Sequence, residues 1–234
     1  MSPKKRGLPP ITQAAIHGSA HFVIQDSQSD RQMLVAKKLS QFRHRFDVAG
    51  DEAVLMKASG FNTFMARVDA AEYGICRRLN RGASFPLPRR VFRIASRLGD
   101  GVIWYVLLAL LPLLYGAPAV KPAIVMALTG VLGVALYKFL KKIFVRERPF
   151  ITHTTIDLAM APLDRYSFPS GHTLHAVSFA WQATAHFPEL GWVLVPLAAL
   201  IASSRVVLGL HYPTDVLAGA AIGASLAELG CSFA

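Results

Sequence analysis

Residues 204–215 read Ser-Arg-Val-Val-Leu-Gly-Leu-His-Tyr-Pro-Thr-Asp and connect two apolar stretches, Leu190–Leu208 and Pro213–Phe233. A helix needs about 20 apolar residues to cross the hydrocarbon core of a bilayer. Both stretches have that length, so both predict membrane-spanning helices. The connecting segment holds a cation, an imidazole and a carboxylate that would lie at one end of this helix pair: Arg205, His211 and Asp215.

Three more apolar stretches precede the pair: Gly101–Val120, Pro122–Leu140 and Gly171–Phe187, of which the last is shorter and more polar. Hydrophobic residues make up 53% of the 234 residues, and the mean hydropathy is +0.39. This composition is more apolar than that of an ordinary globular domain. The sequence therefore predicts an all-α integral membrane protein, a helical bundle of about five transmembrane helices.

The first part of the chain is basic, because seventeen of the 25 Lys and Arg residues lie within residues 1–100. Such a segment suits an anionic membrane surface. We expect no nucleic-acid partner, because neither a zinc-ligand spacing nor an aromatic-basic motif accompanies the charge. Between Phe61 and Leu79 apolar residues recur at helical spacing, which predicts an amphipathic helix that lies in the membrane interface or packs on the protein. We therefore divide the chain into an N-terminal extension, residues 1–96, and a membrane domain, residues 97–234.

Two further motifs precede the spanning pair: Lys141-x6-Arg148-Pro149 and Pro169-Ser170-Gly171-His172. With five crossings, the loop 141–170 follows the second helix and the loop 205–215 follows the fourth, so both emerge on the same side of the membrane. Lys141, Arg148 and Arg205 are then predicted to surround one anion. Phosphate fits, because a planar guanidinium holds two of its oxygens at once and a lysine adds a compact charge.

The Pro169-Ser170-Gly171 turn predicts the start of the third spanning helix. Free backbone N–H groups and the positive end of the helix dipole favour an anion at such a position. The Ser170 hydroxyl is predicted to add a donor to the phosphate. Gly171 is predicted to let the backbone approach it closely.

Two histidines are predicted to divide the remaining chemistry, in which one imidazole attacks phosphorus and the other protonates the departing oxygen. Asp215 follows His211 by four residues, and Pro213 marks the start of a helix between them. That spacing lets the carboxylate accept the ring N–H of His211 and stabilise the charge that grows during attack, as in catalytic triads. His211 is therefore predicted to be the nucleophile and His172 the general acid.

Together, the three motifs resemble, position for position, the motif set of the type 2 phosphatidic acid phosphatase superfamily. That superfamily also contains vanadium haloperoxidases and bacterial undecaprenyl-diphosphate phosphatases. The resemblance covers roughly residues 95–230. It implies a phosphohistidine at His211, protonation of the leaving group by His172, and no metal or cofactor. It also implies phosphate binding by five residues: Lys141, Arg148, Ser170, Gly171 and Arg205.

The expected function is hydrolysis of a phosphate mono- or diphosphate ester of a lipid. Undecaprenyl diphosphate, phosphatidylglycerophosphate and phosphatidate are the candidate substrates. A vanadate-dependent haloperoxidase-like oxidoreductase is one alternative, disfavoured because the haloperoxidases of the superfamily are soluble. An inactive lipid-binding membrane protein is another, disfavoured because no residue of the predicted site is missing.

We expect the protein in a bacterial inner membrane. Basic residues cluster before the first spanning helix and in the 141–170 loop, and the charge rule places such segments in the cytoplasm. Bacterial lipid phosphatases of the superfamily usually act on the outer face, so the resemblance favours the opposite orientation. Arg146 and Lys142 are interpreted as membrane anchors, and Asp100 as a helix cap or a functional acid.

Overall fold

A computed structural model of the protein describes residues 59–234, with side chains described from Arg67 onward. The basic segment before residue 59 lies outside the described residues. The described residues form α-helices and short 3-10 helices, without a strand. The α-helices are α1 (Ser59–Asn80), α2 (Pro86–Leu98), α3 (Val102–Tyr115), α4 (Val120–Ile143), α5 (Pro149–Thr152), α6 (Gly171–His186), α7 (Gly191–Val207) and α8 (Pro213–Cys231). The prediction of an all-α membrane bundle is confirmed.

Within residues 59–234, three helical segments are long and apolar enough to cross a membrane: Ala117–Ile143, Pro188–Val207 and Pro213–Cys231. A fourth crossing is available if α2 and α3, which are bent by 57° at the break between them, form one span. The structure thus provides three or four such segments where the sequence predicted about five. The difference lies in α6, which has 16 residues and carries polar side chains, and, if α2 and α3 are not one span, also in α3, which has 14 residues.

Helix α6 forms the centre of the bundle, where it packs against α4, α7 and α8. Its polar residues Ser178 and Gln182 are buried, because neighbouring helices rather than lipid cover them. Gly219 and Gly223 of α8 allow the closest approach. A Cβ on Gly219 would collide with the backbone oxygen of Ser170, and one on Gly223 would collide with that of Leu174. The Gly-x-x-x-Gly pair therefore brings α8 directly against the start of α6.

Helix α1 confirms the predicted helix between residues 61 and 79, and it packs on the protein. Its buried side chains are Glu72, Cys76 and Asn80. The Asn80 amide donates to the backbone oxygens of Asp157 at 3.0 Å and Val207 at 2.9 Å. The helix is therefore attached to the bundle mainly through polar contacts, while Ile75 stays exposed.

Candidate active site

The ends of three helices meet around one cavity of about 350 Å³. Lys141 lies in the last turn of α4, His172 in the first turn of α6, and Arg205 in the last turn of α7. Arg148 and His211 come from the connecting segments. All five line the cavity. The three motifs therefore meet at one end of the bundle, as the crossing pattern predicted.

His211 lies in the turn between α7 and α8 and is almost fully buried. Gly209 makes this turn with a φ of +75°, a conformation that favours glycine. The Nε2 atom of His211 is 3.3 Å from Nη1 of Arg148. On the other edge of the ring, Nδ1 is 3.5 Å from Oδ2 of Asp215, which is longer than an ordinary hydrogen bond. The Asp215 carboxylate therefore lies on the Nδ1 side of the imidazole, away from Nε2, without a full hydrogen bond to it.

The surroundings of His211 keep its ring neutral. Burial lowers the pKa of His211 well below its ordinary 6.5, and the nearby cations Arg148, Arg205 and Lys141 lower it further. At neutral pH one ring nitrogen therefore keeps a lone pair, as nucleophilic attack requires.

The carboxylate of Asp215 is held by Arg146, which was predicted from the sequence to be a membrane anchor. Arg146 Nη1 donates to Oδ1 of Asp215 at 2.6 Å, and the Tyr212 backbone N–H donates to Oδ2 at 2.8 Å. Arg146 also pairs with Asp69 and Glu72 of α1. The interpretation of Arg146 as a membrane anchor is wrong, because the residue is only 2% exposed. Three carboxylates around the guanidinium make its burial possible.

Glu72 extends this network to the start of α8. Its Oε1 accepts the backbone N–H of Thr214 at 2.7 Å, and its Oε2 accepts the Thr214 hydroxyl at 2.7 Å. The first N–H groups of a helix have no partner within the helix, so Glu72 satisfies one of them. The sequence signal for this role was present: Asp69 and Glu72 lie one turn apart in a region that is otherwise basic.

Lys141 and Arg148 share a carboxylate in the loop between α5 and α6. Lys141 Nζ lies 2.8 Å from both oxygens of Asp164, and Arg148 Nη2 lies 2.6 Å from Oδ1. Burial alone would raise the pKa of Asp164, but the two cations outweigh it and hold the pKa below its ordinary 3.8. Asp164 is therefore an internal anion at the position predicted for phosphate.

The other predicted phosphate ligands differ in their surroundings. Arg205 is buried and donates to the Ser96 hydroxyl, while its Nε has no hydrogen-bond partner among the described residues. Gly171 lines the cavity, and Ser170 is not among the lining residues. The Ser170 hydroxyl instead contacts that of Thr173 at 3.0 Å at the start of α6. Its role as a phosphate donor stays a prediction.

His172 has a carboxylate partner of its own. Its Nε2 lies 2.6 Å from Oδ1 of Asp100, in the turn between α2 and α3. The start of α3 has no side-chain cap. The interpretation of Asp100 as a helix cap is therefore wrong, and its carboxylate faces the cavity instead.

The remaining wall of the cavity is mainly apolar and comes from α3 and α4. Its large side chains are Trp104, Tyr105, Leu108, Val131, Val134 and Tyr137. Among the side chains described from Arg67 onward, no group of three His, Cys, Asp or Glu residues could hold a metal ion. The cavity thus has a cationic end and an apolar side.

The family of the chain follows from comparison with known proteins. Residues 118–232 match the PAP2 superfamily. A decaprenylphosphoryl-5-phosphoribose phosphatase of Mycobacterium tuberculosis is 31% identical over 135 residues, which are 57% of this chain and 73% of that protein. The chain belongs to the PAP2 superfamily. The match begins after α3, so Asp69, Glu72 and Asp100 all precede it.

Two further comparisons, with one relative and one solved structure, extend the similarity. The undecaprenyl-diphosphatase BcrC of Bacillus subtilis is 32% identical over 117 residues, which are 50% of this chain and 60% of that protein. The chain therefore spans less than two thirds of the length of that relative. The crystal structure of LpxE from Aquifex aeolicus is 27% identical, with a TM-score of 0.58, and the likeness covers 70% of this chain and 96% of that one. The bundle therefore shares its fold with that crystal structure.

Proposed function

We propose that this protein is a membrane lipid phosphatase that hydrolyses a phosphate mono- or diphosphate ester of a lipid. One observation carries the proposal: three cations, Lys141, Arg148 and Arg205, line the same cavity as His172 and His211. The cations provide charge for a phosphoryl group, and the imidazoles provide a nucleophile and an acid. Membership of the PAP2 superfamily supports the same reaction.

In the first step, the Nε2 lone pair of neutral His211 forms a bond to phosphorus while the bond to the leaving oxygen breaks. The leaving oxygen keeps that electron pair and takes a proton from His172. Asp215 stabilises the positive charge on the ring of His211. The three cations stabilise the charge on the equatorial oxygens. The product of this step is a phosphohistidine.

In the second step, water attacks phosphorus and gives a proton to His172. The bond between phosphorus and nitrogen breaks, and its electrons return to His211. Inorganic phosphate leaves, and both histidines recover their starting forms. Gly171 offers its backbone N–H to a phosphate oxygen at the start of α6, and Ser170 adds its hydroxyl as a donor. No step requires a metal ion or a cofactor.

The shape of the cavity favours a lipid substrate. A phosphate at the cationic end would place the rest of its ester along Tyr105, Leu108 and Val134. Two relatives, an undecaprenyl-diphosphatase and a decaprenylphosphoryl-5-phosphoribose phosphatase, are both named after a polyprenyl substrate. We therefore place undecaprenyl diphosphate first among the substrates, before phosphatidylglycerophosphate and phosphatidate.

We also propose a bacterial inner membrane as the location, with the active site at the cytoplasmic face. The support is the run of arginines on α2, which precedes α3 and ends at the cavity beside Gly99, because basic residues at the end of a spanning segment favour the cytoplasm. These residues are Arg89, Arg90, Arg93 and Arg97. Arg146 adds nothing to this argument, because three carboxylates neutralise it.

The proposed reaction is tested by phosphate release from these three lipids, using the purified full-length protein in detergent with excess chelator. We expect release by the wild type and none by His211→Ala. His186→Ala is the matched control, because His186 lies at the opposite end of α6 from the site. A folded wild type that releases phosphate from none of the three lipids would contradict the proposed function. Activity that appears only when magnesium replaces the chelator would contradict the proposed mechanism.

A further inference from the structure

The turn between α2 and α3 brings a carboxylate to the cavity from outside the residues that match the PAP2 superfamily. Asp100 Oδ1 lies 2.6 Å from His172 Nε2, and both residues line the cavity. The matched residues begin at position 118, so the family motifs do not include Asp100. The side chain of His172 is 11% exposed and that of Asp100 is 32% exposed. The pair is therefore a partly covered contact at the wall of the site.

The backbone of this turn lies directly against the imidazole. A Cβ on Gly99 would lie 3.0 Å from Cδ2 of His172 and 2.9 Å from Cγ2 of Ile201, tighter than ordinary contacts. Gly101 has a φ of +124°, a conformation that other residues rarely adopt. The two glycines thus allow the chain to turn beside His172 and place Asp100 on its ring.

The charges around His172 give this contact a chemical consequence. Burial lowers the pKa of His172 to about 4, the cations Arg205 and Lys141 lower it as well, and the hydrogen bond and charge of Asp100 oppose this shift. A general acid, however, must carry a proton to give. A carboxylate in direct contact favours the protonated ring and also fixes its orientation.

We propose that Asp100 is the positioning residue of the general acid His172, a second carboxylate–imidazole pair beside Asp215 and His211. The inference rests on the proposed function, because it concerns the acid of that reaction. Because Nε2 of His172 is hydrogen-bonded to Asp100, His172 gives the leaving oxygen the proton on its other ring nitrogen, Nδ1.

The protons on His172 are the same before the first step and after the second. The imidazolium form of His172 donates Nε2–H to Asp100 and carries a second proton on Nδ1. Transfer of the Nδ1 proton to the leaving oxygen produces a neutral ring that still carries Nε2–H. Its Nδ1 lone pair then accepts the proton of the attacking water. The same nitrogen therefore acts as acid and then as base, and Asp100 holds the ring in place throughout.

The test compares two phosphate esters of similar size with different leaving groups. An alkoxide leaves hexyl phosphate only with a proton, whereas nitrophenolate leaves p-nitrophenyl phosphate without one. The values of kcat/KM are measured for the wild type, Asp100→Asn and His172→Ala. Asp157→Asn is the matched control, because Asp157 is exposed and its carboxylate has no ion pair with any described residue.

We expect Asp100→Asn to lower kcat/KM for hexyl phosphate by about 10- to 100-fold, part of the full contribution of a general acid. For p-nitrophenyl phosphate we expect little change in Asp100→Asn, and the control should match the wild type on both esters. An equal loss on the two esters would show a structural role only. No loss on either ester would show that the contact is not used. Either result would overturn the proposal.

A second measurement detects the contact between Asp100 and His172 in the absence of turnover. In 15N-histidine spectra of the full-length protein, His172→Gln identifies the His172 signals. We expect the neutral ring to carry its proton on Nε2 in the wild type and to lose this preference in Asp100→Ala. An unchanged Asp100→Ala spectrum would overturn the pairing. Absence of hydrolysis by the wild type would instead remove the proposed function, so the two failures are distinguishable.

Discussion

Arg146 Nη1 lies 2.6 Å from Asp215 Oδ1, and both side chains are buried. Asp69 and Glu72 of α1 hold the same guanidinium from its other side. The carboxylate behind His211 is therefore positioned by a helix that precedes the matched residues 118–232. A truncated chain that keeps only the three motifs would lack this support.

Replacement of Arg146 tests the network directly. Arg146→Met leaves three carboxylates without their cation, and breaking a buried pair in this way costs about 3–5 kcal/mol. We expect a clear fall in the unfolding temperature in detergent, followed by tryptophan fluorescence, together with loss of phosphate release. Arg165→Met is the control, because the Arg165–Glu147 pair at 3.3 Å is partly exposed and such pairs contribute about 0–1 kcal/mol. Equal effects of the two substitutions would refute the role assigned to Arg146.

If His211 is the nucleophile, replacing it and replacing Asp215 should have different effects on phosphoenzyme formation. His211→Ala should abolish turnover and the trapping of 32P-labelled phosphoenzyme, because it removes the attacking nitrogen. Asp215→Asn should still form some phosphoenzyme and lower kcat by about 10²- to 10⁴-fold, by analogy with the triad aspartate. Circular dichroism checks that both variants stay helical. Normal turnover in folded His211→Ala would exclude His211 as the nucleophile.

The lowered pKa of His211 predicts a pH profile. The nucleophile is active when neutral, and a lowered pKa extends the neutral form to lower pH. With p-nitrophenyl phosphate, kcat/KM should therefore persist from about pH 7 to about pH 5.5, where an unperturbed histidine would be mostly protonated. Arg148→Gln removes a cation that lowers this pKa, so any acid limb should move to higher pH. A wild-type midpoint near the ordinary value of 6.5 would contradict the prediction.

The carboxylate of Asp164 lies inside the proposed phosphate site, and its removal should change the affinity for an anion. Its carboxylate pairs with Lys141 and Arg148, so an incoming anion must displace it or approach it closely. Asp164→Asn should lower the inhibition constant of vanadate by about tenfold, because a like charge near the anion is removed. Asp157→Asn, in the same loop, should leave the constant unchanged. Weaker vanadate inhibition in Asp164→Asn would mean that Asp164 is needed to arrange the two cations.

The orientation in the membrane is tested with single cysteines at Ala161 and Ala117, both exposed positions. Ala161 lies in the loop beside the site, and Ala117 lies between α3 and α4. In intact cells, with Cys76 and Cys231 replaced, a membrane-impermeant thiol reagent should label position 117 and spare position 161. Labelling at 161 alone would place the active site outside and reverse the proposed orientation.

The sequence by itself determined the helices and the convergence of the motifs. Apolar stretches of membrane length predict where helices lie, because the bilayer requires continuous apolar surface. An even number of crossings between Lys141 and Arg205 is enough to place both residues at one side. Neither inference depends on the details of side-chain packing. The shortness of α6 was visible in the sequence, but its central place in the bundle was not.

Only the tertiary structure decided which charges are partners. Arg146 meets Asp69 across 77 residues, and His172 meets Asp100 across 72 residues. Hydrophobic periodicity shows which face of a helix is apolar, but it contains no information about which carboxylate lies opposite a given cation. Arg146 therefore resembled a membrane anchor and Asp100 a helix cap until the packing of α1 and of the 99–101 turn was known. Burial made the pairing of Arg146 necessary, because a charge inside a protein must be paired. The arrangement of the helices determined which carboxylates became its partners.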